Sequence, residues 1–197
     1  MRRIVTLAAL ALAGCMHLPA VDDGLDRATR RDRLESLTAW EMRGRLAVDA
    51  AGDAYQGRFR WRRDGDRLTL SVRGPLGAGG VDVDGTAEAL TVRARGESWA
   101  LTDPETQLSE LLGWWLPVTS LSDWLLGLPD EAHAAAPVFD AAGRLASLEQ
   151  RLWHLDFPAY QLAGGVAVPR SIEMAHAALR LELTVDSLMP LPGSAAP

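Results

Sequence analysis

One cysteine, Cys15, is all the thiol chemistry the chain has, so no internal disulfide can staple the fold. The apolar run at residues 4–12 is too short to be a membrane span: about ten residues at ~1.5 Å each reach half of a ~30 Å hydrocarbon core. Positive charge is in deficit, with a formal net charge of −6. An acidic body argues against nucleic acid and against electrostatic attraction to anionic lipid, so membrane contact beyond an anchor is expected to be apolar. Catalytic constellations are missing too. The four histidines, His17, His133, His154 and His176, have no H-E-x-x-H, no paired spacing and no cysteine partner, so no metal site is expected. There is no G-x-S-x-G elbow. The glycines of 74–80 do not open a helix with a Lys-Ser/Thr pair, which excludes a phosphate-binding loop. Asp82 and Asp84 share a strand face and read as a solvated pair. A binding protein without a cofactor is the better class than an enzyme.

What is present starts at the N-terminus. Arg2 and Arg3 precede the apolar 4–12 run, and Ala13 and Gly14 supply small residues before Cys15. The run Leu12-Ala13-Gly14-Cys15 resembles the bacterial lipobox; the alternative is an ordinary secretory signal with a cysteine near its cleavage site. On the lipobox reading, residues 1–14 are removed, and the Cys15 thiol and its new amine are acylated. Three acyl chains hold a membrane far more firmly than one. Met16, where an Asp would favour retention at the inner membrane, points to the outer membrane with the body in the periplasm. Loss of Arg2 and Arg3 takes the net charge from −6 to near −8.

At 197 residues and 48% hydrophobic, the chain fits one domain with a substantial core. Seven Trp against three Phe and two Tyr is an unusual balance, suited to cores but also to surfaces that meet lipid or apolar ligands. Residues 15–25 read as the lipidated cysteine and a tether, 26–188 as the domain and 189–197 as a frayed tail. Leu34 and Leu37 in a polar stretch predict an N-terminal helix over 26–39. The period then becomes two. Trp40, Met42, Gly44, Leu46 and Val48 share one face against Glu41, Arg43, Arg45 and Asp49, and Tyr55, Gly57, Phe59 and Trp61 oppose Gln56, Arg58, Arg60 and Arg62. Strands follow at 68–72, 81–83, 90–94 and 99–101, then at 145–150, 153–157, 171–174 and 179–185, about ten to eleven in all. Residues 129–137, rich in alanine, read as a loop.

Two short helices interrupt the strands. Asp103-Pro104 reads as an N-cap and first helical residue before a stripe of Leu108, Leu111, Leu112 and Trp115. Ser120 with Asp123 reads as the cap of a second helix carrying Leu121, Trp124 and Leu125, ended by Gly127 and Pro129. A sheet this long with one apolar face must curl around side chains or around a ligand. The loop Gly74-Pro75-Leu76-Gly77 has no hairpin turn signal. Its Pro and Gly could project Leu76 as a membrane probe, or Leu76 could fold into the core. Burying one leucine in lipid contributes roughly 1.5–3 kcal/mol, effective only beside an anchor.

In order and spacing, these pieces resemble the LolB family over about residues 34–185. They are Gly44-Arg45-Leu46-Ala47-Val48, Phe59-Arg60-Trp61, Gly74-Pro75-Leu76-Gly77, Gly113, Leu116-Pro117-Val118, Leu121-Ser122-Asp123-Trp124-Leu125-Leu126-Gly127-Leu128-Pro129, Trp153 and Tyr160. The resemblance implies a mainly β fold: an incomplete, half-open antiparallel β-barrel with a helical lid and a hydrophobic cavity for acyl chains. It implies an energy-independent receptor that accepts lipoproteins from the periplasmic carrier LolA and inserts them into the outer membrane. It also puts Leu76 at the position of a protruding leucine implicated in delivery. Expected partners are that carrier with its cargo, acyl chains and outer-membrane phospholipid, with the protein itself a monomer. Candidates for the cavity lining are Met42, Leu46, Trp61, Leu70, Leu90, Leu121, Trp124 and Leu125. The alternatives are a generic lipid- or lipoglycan-binding lipoprotein, or a structural subunit of an outer-membrane assembly complex, which would have a filled interior.

Overall fold

The computed structural model describes residues 21–50, 52–75 and 79–192. Helix α1 (Arg27–Glu35) leads into β1 (Ala39–Ala50), β2 (Asp53–Asp64), β3 (Arg67–Arg73), β4 (Gly80–Gly85), β5 (Leu90–Ala94) and β6 (Glu97–Leu101). Helices α2 (Pro104–Leu112) and α3 (Val118–Leu126) follow. The chain finishes with β7 (Ala135–Phe139), β8 (Leu145–Gln150), β9 (Trp153–Ala163), β10 (Val166–His176) and β11 (Leu179–Pro190).

All eleven strands form one antiparallel sheet in the order β6-β5-β4-β3-β2-β1-β11-β10-β9-β8-β7. Neighbours in sequence are neighbours in the sheet except at one seam, where β1 pairs with β11. The sheet is not closed: β6 and β7 are its two edges, and the chain between them carries α2 and α3. The helices thus arise where the barrel is open, as the half-open barrel with a helical lid requires.

The period-two pattern puts Trp40, Met42 and Gly44 of β1 and Phe59 and Trp61 of β2 on the buried face. Gly44 is dictated by the seam. A Cβ there would lie 2.1 Å from the Thr184 carbonyl oxygen and 2.8 Å from the Phe59 ring, beside a register shift between Arg43 and Gly44. Glu41, expected on the wet face, is buried, held by Arg43 (2.7 Å) and Arg60 (2.6 Å).

Several boundaries differ from the sequence pattern. Residues 135–139 are not loop but the edge strand β7, whose Ala135 to Val138 are exposed on both faces and so show no alternation. Pro137 is tolerated because an edge strand leaves amides unpaired. Strands β9 and β10 are longer than expected, meeting at a Gly164-Gly165 turn with both φ positive (+58° and +79°). Pro158 and Pro169 hide this hairpin, and register shifts beside Pro169 absorb the lost pairing. The N-terminal helix is shorter than 26–39: Asp26 caps it, accepting from the Thr29 amide at 2.9 Å, and Ala39 belongs to β1. The strand β11 runs to Pro190, past the expected domain end at 188, because Met189 and Pro190 pair with Glu41 and Trp40.

The tether is also docked at its far end. The Asp23 carboxylate, with no side-chain exposure, accepts from Arg30 Nη2 (2.7 Å), Arg30 Nε (2.8 Å) and the Ala167 amide (2.9 Å). Arg144 Nη1 donates to the Val21 carbonyl at 2.6 Å. Arg30 points inward from α1 because Asp23 and the carbonyls of Leu25 and Ala142 await it.

Candidate functional site

The inner face of the sheet and the helices over it form the principal core. Helix α3 buries Val118, Leu121, Trp124, Leu125 and Leu126. Its start differs from expectation: Pro117 is the N-cap without a side-chain bond, and Ser120 lies inside the helix, donating to Asp130 Oδ2 at 2.7 Å. The sequence does not reveal that the partner of Ser120 comes from beyond the helix. Trp124 Nε1 donates to Gln150 Oε1 (2.8 Å), and Gln150 Nε2 donates to the carbonyls of Asp130 (2.6 Å) and His133 (2.9 Å). Burial pushes the Asp130 carboxyl up, but bonds from Ser120, the Ala132 amide and His133 outweigh it and hold it below the usual range. One buried polar network therefore ties α3 to β8.

Helix α2 is held differently. Asp103 does precede Pro104 at the first helical position, yet its side chain makes no cap bond; Gln107 Oε1 instead accepts from the Thr102 and Asp103 amides. Only part of the expected leucine stripe faces inward. Leu108 is buried, while Leu111 and Leu112 are 47% and 42% exposed, because Gly113 (φ +76°) ends the helix there and leaves Trp115 beyond it. Glu105 of α2 pairs with Arg151 in the β8–β9 turn at 2.6 Å, and Glu105 Oε1 accepts from the Thr119 hydroxyl at 2.8 Å. Arg151 also lies 4.8 Å over the Trp115 ring. One ion pair thus latches both helices to the sheet. Arg151 and Leu152 both have positive φ (+52° and +64°), a conformation that costs non-glycine residues energy and concentrates at working parts of proteins.

Beside this latch is a mouth. A cavity of about 400 Å³ is bordered by Leu112, Trp114, Trp115, His176 and Leu179, where the β1–β2 and β10–β11 hairpins meet the link between the helices. From it, aromatic rings run inward: Trp115 to His176 (5.8 Å), His176 stacked on Trp153 (5.3 Å), and Trp153 to Trp124 (6.3 Å). The indole N–H groups of Trp40, Trp61 and Trp153 are buried with no hydrogen-bond partner among the described residues.

Of the expected lining residues, Met42, Trp61, Leu121, Trp124 and Leu125 come together in the main core, with Leu46 and Leu70 packed at its border. Leu90 does not join them; it sits in a second, smaller cluster with Leu68, Val92, Leu101, Leu108 and Val118. The buried members are between 0% and 8% exposed, so they pack on one another as interior fill. Sequence reasoning missed the latch and the mouth. Arg151, Glu105 and Gln150 carry no motif, and His176 has no paired spacing or cysteine partner to single it out. Cys15, Leu76 and Gly77 lie outside the described residues; Gly74 is buried and Pro75 exposed at the loop's base. Among the described residues no helix is long and apolar enough to cross a membrane.

Comparison with known proteins bears on this architecture. Residues 38–187 match the family model described as outer membrane lipoprotein LolB. The chain is 35% identical over 189 residues to the outer-membrane lipoprotein LolB of Nitrosococcus oceani, covering 93% of this chain and 94% of that one. It is 33% identical over 184 residues to the protein of the same name from Halorhodospira halophila, covering 91% and 90%. Among solved structures it is similar to a LolA superfamily protein from Nitrosomonas europaea, with a TM-score of 0.53 at 10% identity over 88% of this chain and 96% of that one. That likeness concerns the fold.

Proposed function

The chain belongs to the outer membrane lipoprotein LolB family, and on that premise we propose that it receives lipoproteins from a LolA-type periplasmic carrier and inserts them into the outer membrane. It does so as a monomer, lipidated at Cys15 after removal of residues 1–14, with its body in the periplasm. The observation that carries the reading is the apolar inner face of a half-open sheet covered by two helices, with an aromatic-lined mouth beside the latch. A triacylated cargo exposed to water would hydrate dozens of CH₂ groups at about 0.8 kcal/mol each, so transfer needs a protected apolar surface. Because the interior is packed, acyl chains enter by displacing α2 and α3 and taking their place against Met42 and Trp61 on the inner face of the sheet. No coupled energy source is needed: cargo moves from weaker to stronger binding and then to bilayer. Leu76 enters the membrane during delivery.

A filled interior would also suit a structural subunit of an assembly complex, but that reading gives the mouth and the latched helices no task. The test is a transfer assay with mature protein in outer-membrane vesicles and a cargo-loaded carrier. The wild type should strip cargo from the carrier and leave it in the vesicles. Leu76→Glu should strip it equally but retain it on the protein. If the wild type takes no cargo, the receptor reading is wrong.

A further inference from the structure

The outer face of the sheet carries two cross-strand rows of arginine. In one, Arg43 of β1 sits opposite Arg60 of β2. Like charges directly opposite are destabilising, and here the buried Glu41 carboxylate bridges both. In the next row, Arg45 of β1, Arg58 of β2 and Arg73 of β3 stand side by side across three strands. No carboxylate bridges this row. Arg45 reaches outward to Asp186 (3.1 Å) and Arg73 to Asp82 (2.8 Å), while the Arg58 side chain in the middle has no ion pair or hydrogen bond among the described residues. The two rows repeat one geometry, but in the second the outer arginines are drawn apart to carboxylates of their own and Arg58 between them is left without one.

The second row borders a groove of about 690 Å³ on this outer face. Gln56 and Thr184 add an amide and a hydroxyl, Glu182 lies one row away on β11, and Gly74 and Pro75 form one wall. Those last two residues lead directly into Leu76. Guanidinium groups bind phosphate as bidentate forks, and three on adjacent strands suit its oxygens.

We propose that Arg45, Arg58 and Arg73 form a site for the phosphate of an anionic membrane phospholipid, which docks the base of the Leu76 loop on the bilayer surface. The site rests on the delivery role proposed for that loop. Its occupant is a membrane lipid because the groove shares its wall with the segment that meets the membrane. The bound headgroup supplies the anion that Arg58 lacks, beside Gly74 and Pro75 at the base of the loop. Acidic groups beyond about 8–10 Å are largely screened at physiological salt, and the nearer Asp186 and Asp82 are already paired with Arg45 and Arg73, so that Glu182, one row away, is the acid a bound phosphate must stand clear of.

The test uses the mature lipoprotein held in neutral-detergent micelles, with no carrier or cargo present. Monomeric dihexanoylphosphatidylglycerol is titrated while the arginine Nε–Hε resonances are followed by NMR. It should shift Arg45, Arg58 and Arg73 saturably and leave Arg170 and Arg180 unmoved, and Arg58→Gln should weaken binding about tenfold. In the transfer assay, Arg58→Gln should slow delivery into phosphatidylglycerol-containing vesicles several-fold with uptake from the carrier unchanged. Unmoved Arg58 resonances, equal binding by Arg58→Gln, or binding of inorganic phosphate as tight as that of the lipid would each overturn the proposal. A wild type that takes no cargo would count against the receptor role instead, since the lipid titration does not depend on it.

Discussion

Leu152 is a leucine where backbone geometry asks for glycine. It occupies the second position of the two-residue β8–β9 turn with φ +64°, and its side chain is 86% exposed, so little apolar burial offsets the strain. A left-handed conformation costs an L-residue about 1–2 kcal/mol, part of which glycine returns through its larger unfolded-state entropy. Leu152→Gly should therefore raise unfolding stability by about 0.5 kcal/mol, read as a higher urea midpoint at unchanged m-value. Unchanged or lower stability would mean that the turn is not strained. Gly44 is the opposite case: the period-two pattern places it on the inner face, but only the seam with β11 explains why no Cβ is allowed there.

At the scale of elements, α2 and α3 are held by few polar contacts, and the Glu105–Arg151 pair joins both to one turn. Burial pushes the Glu105 carboxyl up, but Arg151 and Thr119 outweigh it and hold its pKa below the ordinary value. A lowered folded-state pKa contributes stability that is present above the unfolded value of about 4.3 and is lost as pH falls through the lowered one. Amide protection factors in α2 and α3, which allow for the slower intrinsic exchange in acid, should therefore fall below about pH 4 more than those in β9. Glu105→Gln should reproduce that loosening at neutral pH, weakening the latch by about 1–2 kcal/mol. Uniform exchange across sheet and helices in the variant would show that the pair does not govern the lid.

For the whole molecule, the clasp of Asp23 on Arg30 joins the N-terminal segment to the body. Arg30 holds the Asp23 carboxyl far below the usual carboxylate range, against the opposing effect of burial and with help from the Ala167 and Leu25 amides. With the side chains 0% and 5% exposed, breaking the pair leaves a buried charge unmatched. Asp23→Asn should lower unfolding stability by about 3 kcal/mol in urea titrations at pH 7. The difference from wild type should shrink as pH falls below about 4, since Asp23 contributes only while ionised. A loss under 1 kcal/mol at pH 7 would show the clasp to be incidental. If Cys15 carries the lipid, the clasp also leaves only six residue steps to Val21, a reach of about 21 Å, so the body stays close to the bilayer.

Alternation and turn residues were enough to determine the strand-rich class, the two inserted helices and the sorting of most side chains between wet and dry faces, because each depends on neighbours two to four positions away. The lipobox-like segment and the leucine loop were legible for the same reason, as contiguous chemistry. The edge strand β7 was not, since a strand exposed on both faces has no period to read, and neither was the β9–β10 hairpin, whose prolines look like breakers until the bulges beside them are seen. The latch, the aromatic path, the Asp23 clasp and the unbridged arginine row were decided by tertiary structure alone. Each joins residues that register and packing bring together from distant parts of the chain, and net charge, which sums over the whole surface, conceals a row of three like charges on adjacent strands.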